Sequence, residues 1–224
     1  WDPGYKCYCL DAKNGTLIWS YNIQGVITGS IAVVNGKLFV GQHSVPGQIF
    51  SLDEKTGRLL WSYPLVLSVI DSPSVANGKV FAGSWDKYIY ALDEETGSLI
   101  WRFKTNGPIL SSPVIADHMV FIGSDDKFLY VIDETTGNLV WKYQTGSNVK
   151  STPAIANGRL YVASEDGYLY CFGSGPGILP QNYQSEILDR GFYSLLASSV
   201  VAIGVIGTYL YIRLKGKIKK PFIR

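Results

Sequence analysis

Polar and apolar positions alternate along most of this chain in short runs. Lys127 to Asp133 shows the pattern well: Phe128, Tyr130 and Ile132 fall on one face and Leu129 and Val131 on the other, the period of two expected of a strand. Ser112–Ala116 and Met119–Gly123 read as two strands ahead of it, joined by Asp117-His118, and Leu139–Gln144, carrying Trp141, reads as a fourth behind it. At the place of Asp117-His118, other stretches have Asn35-Gly36, Asn77-Gly78 and Asn157-Gly158, the dipeptide favoured in type I′ hairpins because both central residues take positive φ. Asp117-His118 departs from it, so a weaker turn is expected there. The predicted unit is a four-stranded antiparallel sheet.

That unit repeats. The motif small-x-Asp-x-x-(Thr/Asn)-Gly-x-x-x-Trp occurs four times in register: Asp11, Gly15 and Trp19; Asp53, Gly57 and Trp61; Asp93, Gly97 and Trp101; Asp133, Gly137 and Trp141. The tryptophans lie 42, 40 and 40 residues apart, and Pro73, Pro113 and Pro153 keep the step of 40. A fixed period of this length, with short strands inside it, predicts propeller blades. The aspartate is expected to accept from backbone N–H groups of its turn while glycine closes the turn in the left-handed conformation. The tryptophan, on the outermost strand, is expected to wedge between neighbouring blades. Residues 5–23 account for two strands, 26–145 for three full blades and 151–172 for three strands of a further one. The fold class predicted is all-β, a partial β-propeller of about three full blades and two incomplete ones, with residues 1–172 as the repeat domain and further blades expected upstream of Trp1.

The stretch Ala91-x-Asp93-x-x-Thr96-Gly97-x-x-x-Trp101 and its three counterparts resemble the tryptophan-docking motif of PQQ-type (pyrroloquinoline-quinone-type) propellers, over residues 5 to 172. WD40 and kelch patterns do not fit: Trp85-Asp86 falls in a loop with no Gly-His partner. The resemblance implies a ring of blades. It also raises quinone-dependent oxidation, which in such enzymes uses adjacent cysteines against the cofactor, a bound calcium and an aspartate base. This chain has Cys7-x-Cys9 and a distant Cys171, with no adjacent pair. Cys9 and Cys171 align with Ala91, Ser51 and Val131 and read as small core residues.

Past Phe172 the repeat collapses into Gly173-Ser174-Gly175-Pro176-Gly177, and residues 173–190 read as a linker. Gly191 to Ile212 then runs 22 residues without a charge, roughly 33 Å as a helix against a hydrocarbon core of about 30 Å. Phe192, Tyr193, Tyr209 and Tyr211 bracket it, and residues 213–224 hold six basic residues and no acid. A single transmembrane helix over 191–212 with residues 213–224 as a cytoplasmic tail is expected, which puts the propeller outside the cytoplasm at the cell membrane. Taking those six charges from the formal net charge of +2 leaves the rest of the chain at −4, which argues against a nucleic-acid partner.

Asp86, Asp126 and Asp166 recur at intervals of 40 between the second and third strands, with Asp125 and Glu165 beside two of them. They are the candidate rim-binding residues; the plainer reading is that they build turns. The first full blade has Ser44-Val45-Pro46-Gly47 there, so any ring of carboxylates is incomplete. His43 and His118 lie in loops of different blades, and no Gly-x-Ser-x-Gly elbow or phosphate-cradling loop occurs. No cofactor, metal or catalytic residue is expected. The expected function is a non-catalytic binding or scaffolding module that takes a protein, peptide or polysaccharide at the propeller rim and the bilayer through 191–212. The alternative is a membrane-bound PQQ-dependent dehydrogenase with its cofactor site in upstream blades.

Overall fold

The structure is a computed structural model that describes residues 5–23 and 25–173. The linker beyond Gly173, the 191–212 span and the basic tail lie outside the described residues. Those described form antiparallel sheets throughout and divide into two compact units at Lys104/Thr105.

The first unit holds a two-stranded sheet, β1 (Tyr5–Leu10) and β2 (Leu17–Ile23), and two four-stranded sheets. The first of these runs β3 (Ala32–Val34), β4 (Lys37–Gln42), β5 (Gly47–Asp53), β6 (Leu59–Leu65); the second runs β7 (Ser74–Ala76), β8 (Lys79–Gly83), β9 (Tyr88–Asp93), β10 (Leu99–Lys104). The second unit holds β11 (Val114–Ala116), β12 (Met119–Gly123), β13 (Phe128–Asp133) and β14 (Leu139–Gln144) in one sheet, and β15 (Ala154–Ala156), β16 (Arg159–Ala163) and β17 (Leu169–Phe172) in a three-stranded one. In every sheet, spatial order follows chain order, as in a blade made of successive hairpins. Ser112 and Pro113, expected in the strand that became β11, stay outside it because proline has no N–H to give the ladder.

The hairpin turns behave alike. Asn35, Asn77 and Asn157 have φ of about 50° and the glycines after them are also positive, yet Asp117 and His118 adopt the same pair of positive values, 48° and 58°. The weaker turn expected at Asp117-His118 is therefore closed in the same geometry. Its ladder is regular, with Ala116 opposite Met119 and Ile115 opposite Val120.

The cores lie between sheets. Phe39, Ile49, Trp61, Val80, Tyr90 and Leu92 form one cluster in the first unit, and Phe121, Leu129, Trp141, Leu160 and Phe172 belong to one in the second. The third and fourth strands share a one-residue slip just before each tryptophan: Leu52 faces Leu59 but Ser51 faces Trp61, and Ile132 faces Leu139 but Val131 faces Trp141. The extra residue, Leu60 or Val140, makes a bulge that re-aims the strand and delivers the indole to the core face.

Candidate functional site

The turn joining third to fourth strand is built on its aspartate. Asp93 Oδ1 accepts from the N–H of Glu95 (3.1 Å), the N–H of Thr96 (2.8 Å) and the Thr96 hydroxyl (2.8 Å). Asp53 and Asp133 accept the same three donors of their own turns, and Asp11 accepts from the N–H groups of Lys13 and Asn14. The Thr hydroxyl, followed by the turn amides, holds the carboxyls of Asp53 and Asp93 below the usual carboxylate range. At Asp133, burial pushes the other way, but the Thr136 amide and hydroxyl outweigh it.

Gly57 and Gly97 take φ of 68° and 70° and lie flat under an indole from the preceding sheet: a Cβ would come within 2.4 Å of Trp19 at Gly57 and 2.5 Å of Trp61 at Gly97. The indole N–H groups then reach the backbone beside those glycines, Trp19 Nε1 to Glu54 O at 2.9 Å and Trp61 Nε1 to Glu94 O at 3.0 Å. Trp101 is buried on β10 against Phe81, and Trp141 on β14 against Phe172, with ring centroids 5.8 and 5.9 Å apart. Gly15 and Gly137 close their turns at φ of 73°. The sheet-to-sheet tie in the first unit is reinforced by buried Glu94, which accepts from Asn35 Nδ2 at 2.9 Å and sits 3.5 Å from Lys37 Nζ; the alternation of the sequence gives no sign of this.

At the other end of the sheets, Asp86, Asp126 and Asp166 occupy equivalent loops. Each Oδ1 caps the backbone two residues on: Tyr88, Phe128 and Tyr168 donate their N–H at 3.0, 3.1 and 2.9 Å. Each Oδ2 accepts the hydroxyl of the tyrosine four residues on, from Tyr90 at 2.7 Å, Tyr130 at 2.6 Å and Tyr170 at 2.6 Å. Burial, helped by the carboxylate, raises all three phenols well above their ordinary pKa. The pairing went unseen in the sequence although its signal is there, as Ser84-x-Asp86-x-x-x-Tyr90, Ser124-x-Asp126-x-x-x-Tyr130 and Ser164-x-Asp166-x-x-x-Tyr170 at a step of 40.

In the second unit a third donor arrives from the linker before the sheet, Asn106 N–H to Asp126 at 2.8 Å and Gly146 N–H to Asp166 at 2.6 Å. Burial pushes the Asp166 carboxyl up, and the Tyr170 hydroxyl with the Tyr168 and Gly146 amides holds it below its usual range. Asp86 receives no such third donor among the described residues; Val66 stands at the position of Asn106 and Gly146.

Outward positions differ between the units. In the first, Val45 and Val66 are 76% and 73% exposed and Trp85 is 40% exposed, its ring 6.0 Å from that of His43. These loops are laced together: Trp85 N–H donates to Ser68 O at 3.0 Å and the Ser68 hydroxyl to Ser44 O at 3.0 Å. In the second, the equivalents of Val45 and Trp85 are Asp125 and Glu165. Glu165 pairs with Lys150 at 2.8 Å, and burial raises the Asp125 carboxyl despite the nearby Lys150.

Cys7, Cys9 and Cys171 are free thiols, and burial pushes those of Cys7 and Cys171 up, away from the reactive thiolate. His118 lies 3.6 Å from the buried Glu134 carboxylate in its own sheet. Among the described residues no three His, Cys, Asp or Glu side chains gather to hold a metal ion. The described residues thus fit neither a quinone held by adjacent cysteines nor a calcium beside it.

A family model described as outer membrane protein assembly factor BamB matches residues 6–113 and 86–179. The chain belongs to this family of PQQ-type propeller repeats. Among solved structures, BamB from Moraxella catarrhalis is similar to it with a TM-score of 0.64 and 29% identity over 71% of this chain and 50% of that one. The chain thus spans half the length of that BamB. Two likenesses show the fold alone: the quinohemoprotein alcohol dehydrogenase ADHIIG from Pseudomonas putida HK5 (TM-score 0.61, 22% identity, 80% of this chain and 40% of that one) and the computationally designed Ika4 (0.61, 20%, 67% and 92%). No curated protein matches the chain. The BamB-family sheets are the all-β repeat read from the sequence, on the PQQ-type propeller fold.

Proposed function

We propose that this chain belongs to a membrane-anchored, extracytoplasmic β-propeller that works as a non-catalytic binding or scaffolding module, with a protein as the partner taken by its loops. The observation that carries the reading is the engagement of Asp86, Asp126 and Asp166. Their carboxylates hold the loop backbone and a tyrosine hydroxyl, which makes them the frame of the loops, and the residues beside them, Val45, Trp85, Asp125 and Glu165, are the ones free to differ. Exposed apolar side chains on a stiff sheet end suit a protein partner more than a polysaccharide or a free ion. Membership of the BamB family, whose description is that of an assembly factor, agrees with it. The anchor rests on the uncharged stretch 191–212 and the basic tail behind it.

The test is to add pyrroloquinoline quinone and calcium to the purified full-length protein and to follow the absorbance of bound quinone and the reduction of a dye with alcohol or sugar substrates. The expected result is neither binding nor reduction. Bound quinone together with dye reduction overturns the reading and makes the protein a dehydrogenase.

A further inference from the structure

The first docking turn departs from the other three in a way that its structural task does not require. At the fourth position of the turn the later copies have Thr56, Thr96 and Thr136, whose hydroxyls donate to the turn's aspartate; the first copy has Asn14. Two residues on, where the later copies have Arg58, Ser98 and Asn138, the first has Thr16. The two changes together write Asn14-Gly15-Thr16, and no other asparagine of the chain has serine or threonine two residues after it. Asn-x-Ser/Thr is the acceptor pattern for N-linked glycans.

The local geometry matches the pattern. Asn14 Oδ1 accepts both the N–H of Thr16 at 2.9 Å and its hydroxyl at 2.8 Å, so the threonine holds the amide oxygen and the Nδ2 atom makes no hydrogen bond among the described residues. Asn14 and Thr16 are both exposed. A neighbouring blade would not cover them: in the turns whose glycine does lie under an indole, Thr56 with Arg58 and Thr96 with Ser98 remain exposed. The turn also leaves its sheet at the end opposite the loops between second and third strands, so a glycan there leaves those loops open to a partner.

From these observations we infer that Asn14 is an N-glycosylation site. The donor is an oligosaccharide linked to a lipid phosphate. Asn14 Nδ2 loses one proton and bonds to the anomeric carbon of the first sugar, while the bond from that carbon to the phosphate oxygen breaks and the lipid phosphate leaves with the electron pair; nothing is oxidised. The inference rests on the extracytoplasmic placement proposed above, since that is where such donors are used.

The test is mass spectrometry of the tryptic peptide spanning residues 14–37, from the full-length protein purified from its native cells, beside the Asn14→Gln and Thr16→Ala variants. A reporter, Thr96→Asn on the Asn14→Gln background, places the same acceptor pattern before Ser98 in an equivalent exposed turn. The expected result is a glycan on Asn14 that both single variants lose, and a glycan on the reporter. A glycan on the reporter with none on Asn14 overturns the inference while leaving the domain outside the cytoplasm. None at either position overturns the inference, as does deamidation at Asn14-Gly15 without a glycan; the placement is then read separately, from whether protease added to intact cells cuts the domain, and protection from it overturns the placement.

Discussion

The turns between third and fourth strands and the loops between second and third strands close opposite ends of the same sheets, and they tolerate difference unequally. Aspartate, glycine and tryptophan recur in all four turns, and in the first unit the indoles are tied to the next sheet: Trp19 lies on Gly57 and Trp61 on Gly97, with their N–H groups reaching Glu54 O and Glu94 O. In the loops, only the inner half recurs, as Ser84, Asp86 and Tyr90 or Ser164, Asp166 and Tyr170, while the outer half runs through Val45, Trp85, Asp125 and Glu165. The difference separates what holds the sheets together from what they present. The repeat varies at the outward end of the loops and is kept where a side chain meets the neighbouring sheet.

The most forceful way to break that comparison is to remove an indole. Trp61→Ala empties a buried site between two sheets and is expected to cost about 3–5 kcal/mol, read as a lower urea midpoint; loss of less than a third of that would mean the indole is not what joins them. Gly97→Ala attacks the same contact from below. Its Cβ meets Trp61 in a backbone of positive φ, and the expected loss is about 2–4 kcal/mol.

Tyr90→Phe should cost about 1–2 kcal/mol, because Asp86 Oδ2 then loses the hydroxyl it accepts. Tyr130→Phe should cost less, since Asp126 keeps the Asn106 amide; equal losses would show that the linker amide contributes nothing. Glu165→Gln and Val45→Ser, at outward positions, should move stability by no more than about 0.5 kcal/mol, and a larger effect of either would place the outer half of the loops in the frame.

Acid sharpens the comparison in a different manner. Asp53, Asp93 and Asp133 have carboxyls held below their ordinary range, so the stability they lend is complete above the unfolded value of about 4 and is lost as pH falls through the lowered folded values. Replacing all three by Asn should flatten the fall in melting temperature between neutral pH and pH of about 3, whereas an unchanged acid limb would mean that the turn carboxylates are not its source.

The period, the strand alternation and the docking residues were legible because each is a local or fixed-step signal: Asp93, Gly97 and Trp101 stand in one turn and recur by counting. The family resemblance followed from the same residues. What stayed hidden depends on neighbours brought in by folding. Asn106 and Gly146 reach Asp126 and Asp166 across 20 residues, and only the closed sheet brings their amides there. The Asp–Tyr bond joins a loop to the start of a strand, and the alternation that puts Tyr130 on one face with Phe128 and Ile132 says nothing of where its hydroxyl ends. Asp117-His118 looked like a poor turn because propensity weighs the pair alone, whereas β11 and β12 on either side impose the positive φ values. Buried Glu94 was hidden because its partners, Asn35 and Lys37, belong to the sheet before it.

Thermal unfolding of the full-length protein and of Asp126→Asn, each with and without calcium, bears most directly on whether the loop carboxylates are frame or ligand. The expected result is a lower midpoint for Asp126→Asn and no effect of calcium on either protein. An unchanged midpoint for Asp126→Asn, together with a calcium-dependent rise in the midpoint of the wild type, would contradict it and return the three aspartates to the role of a binding site.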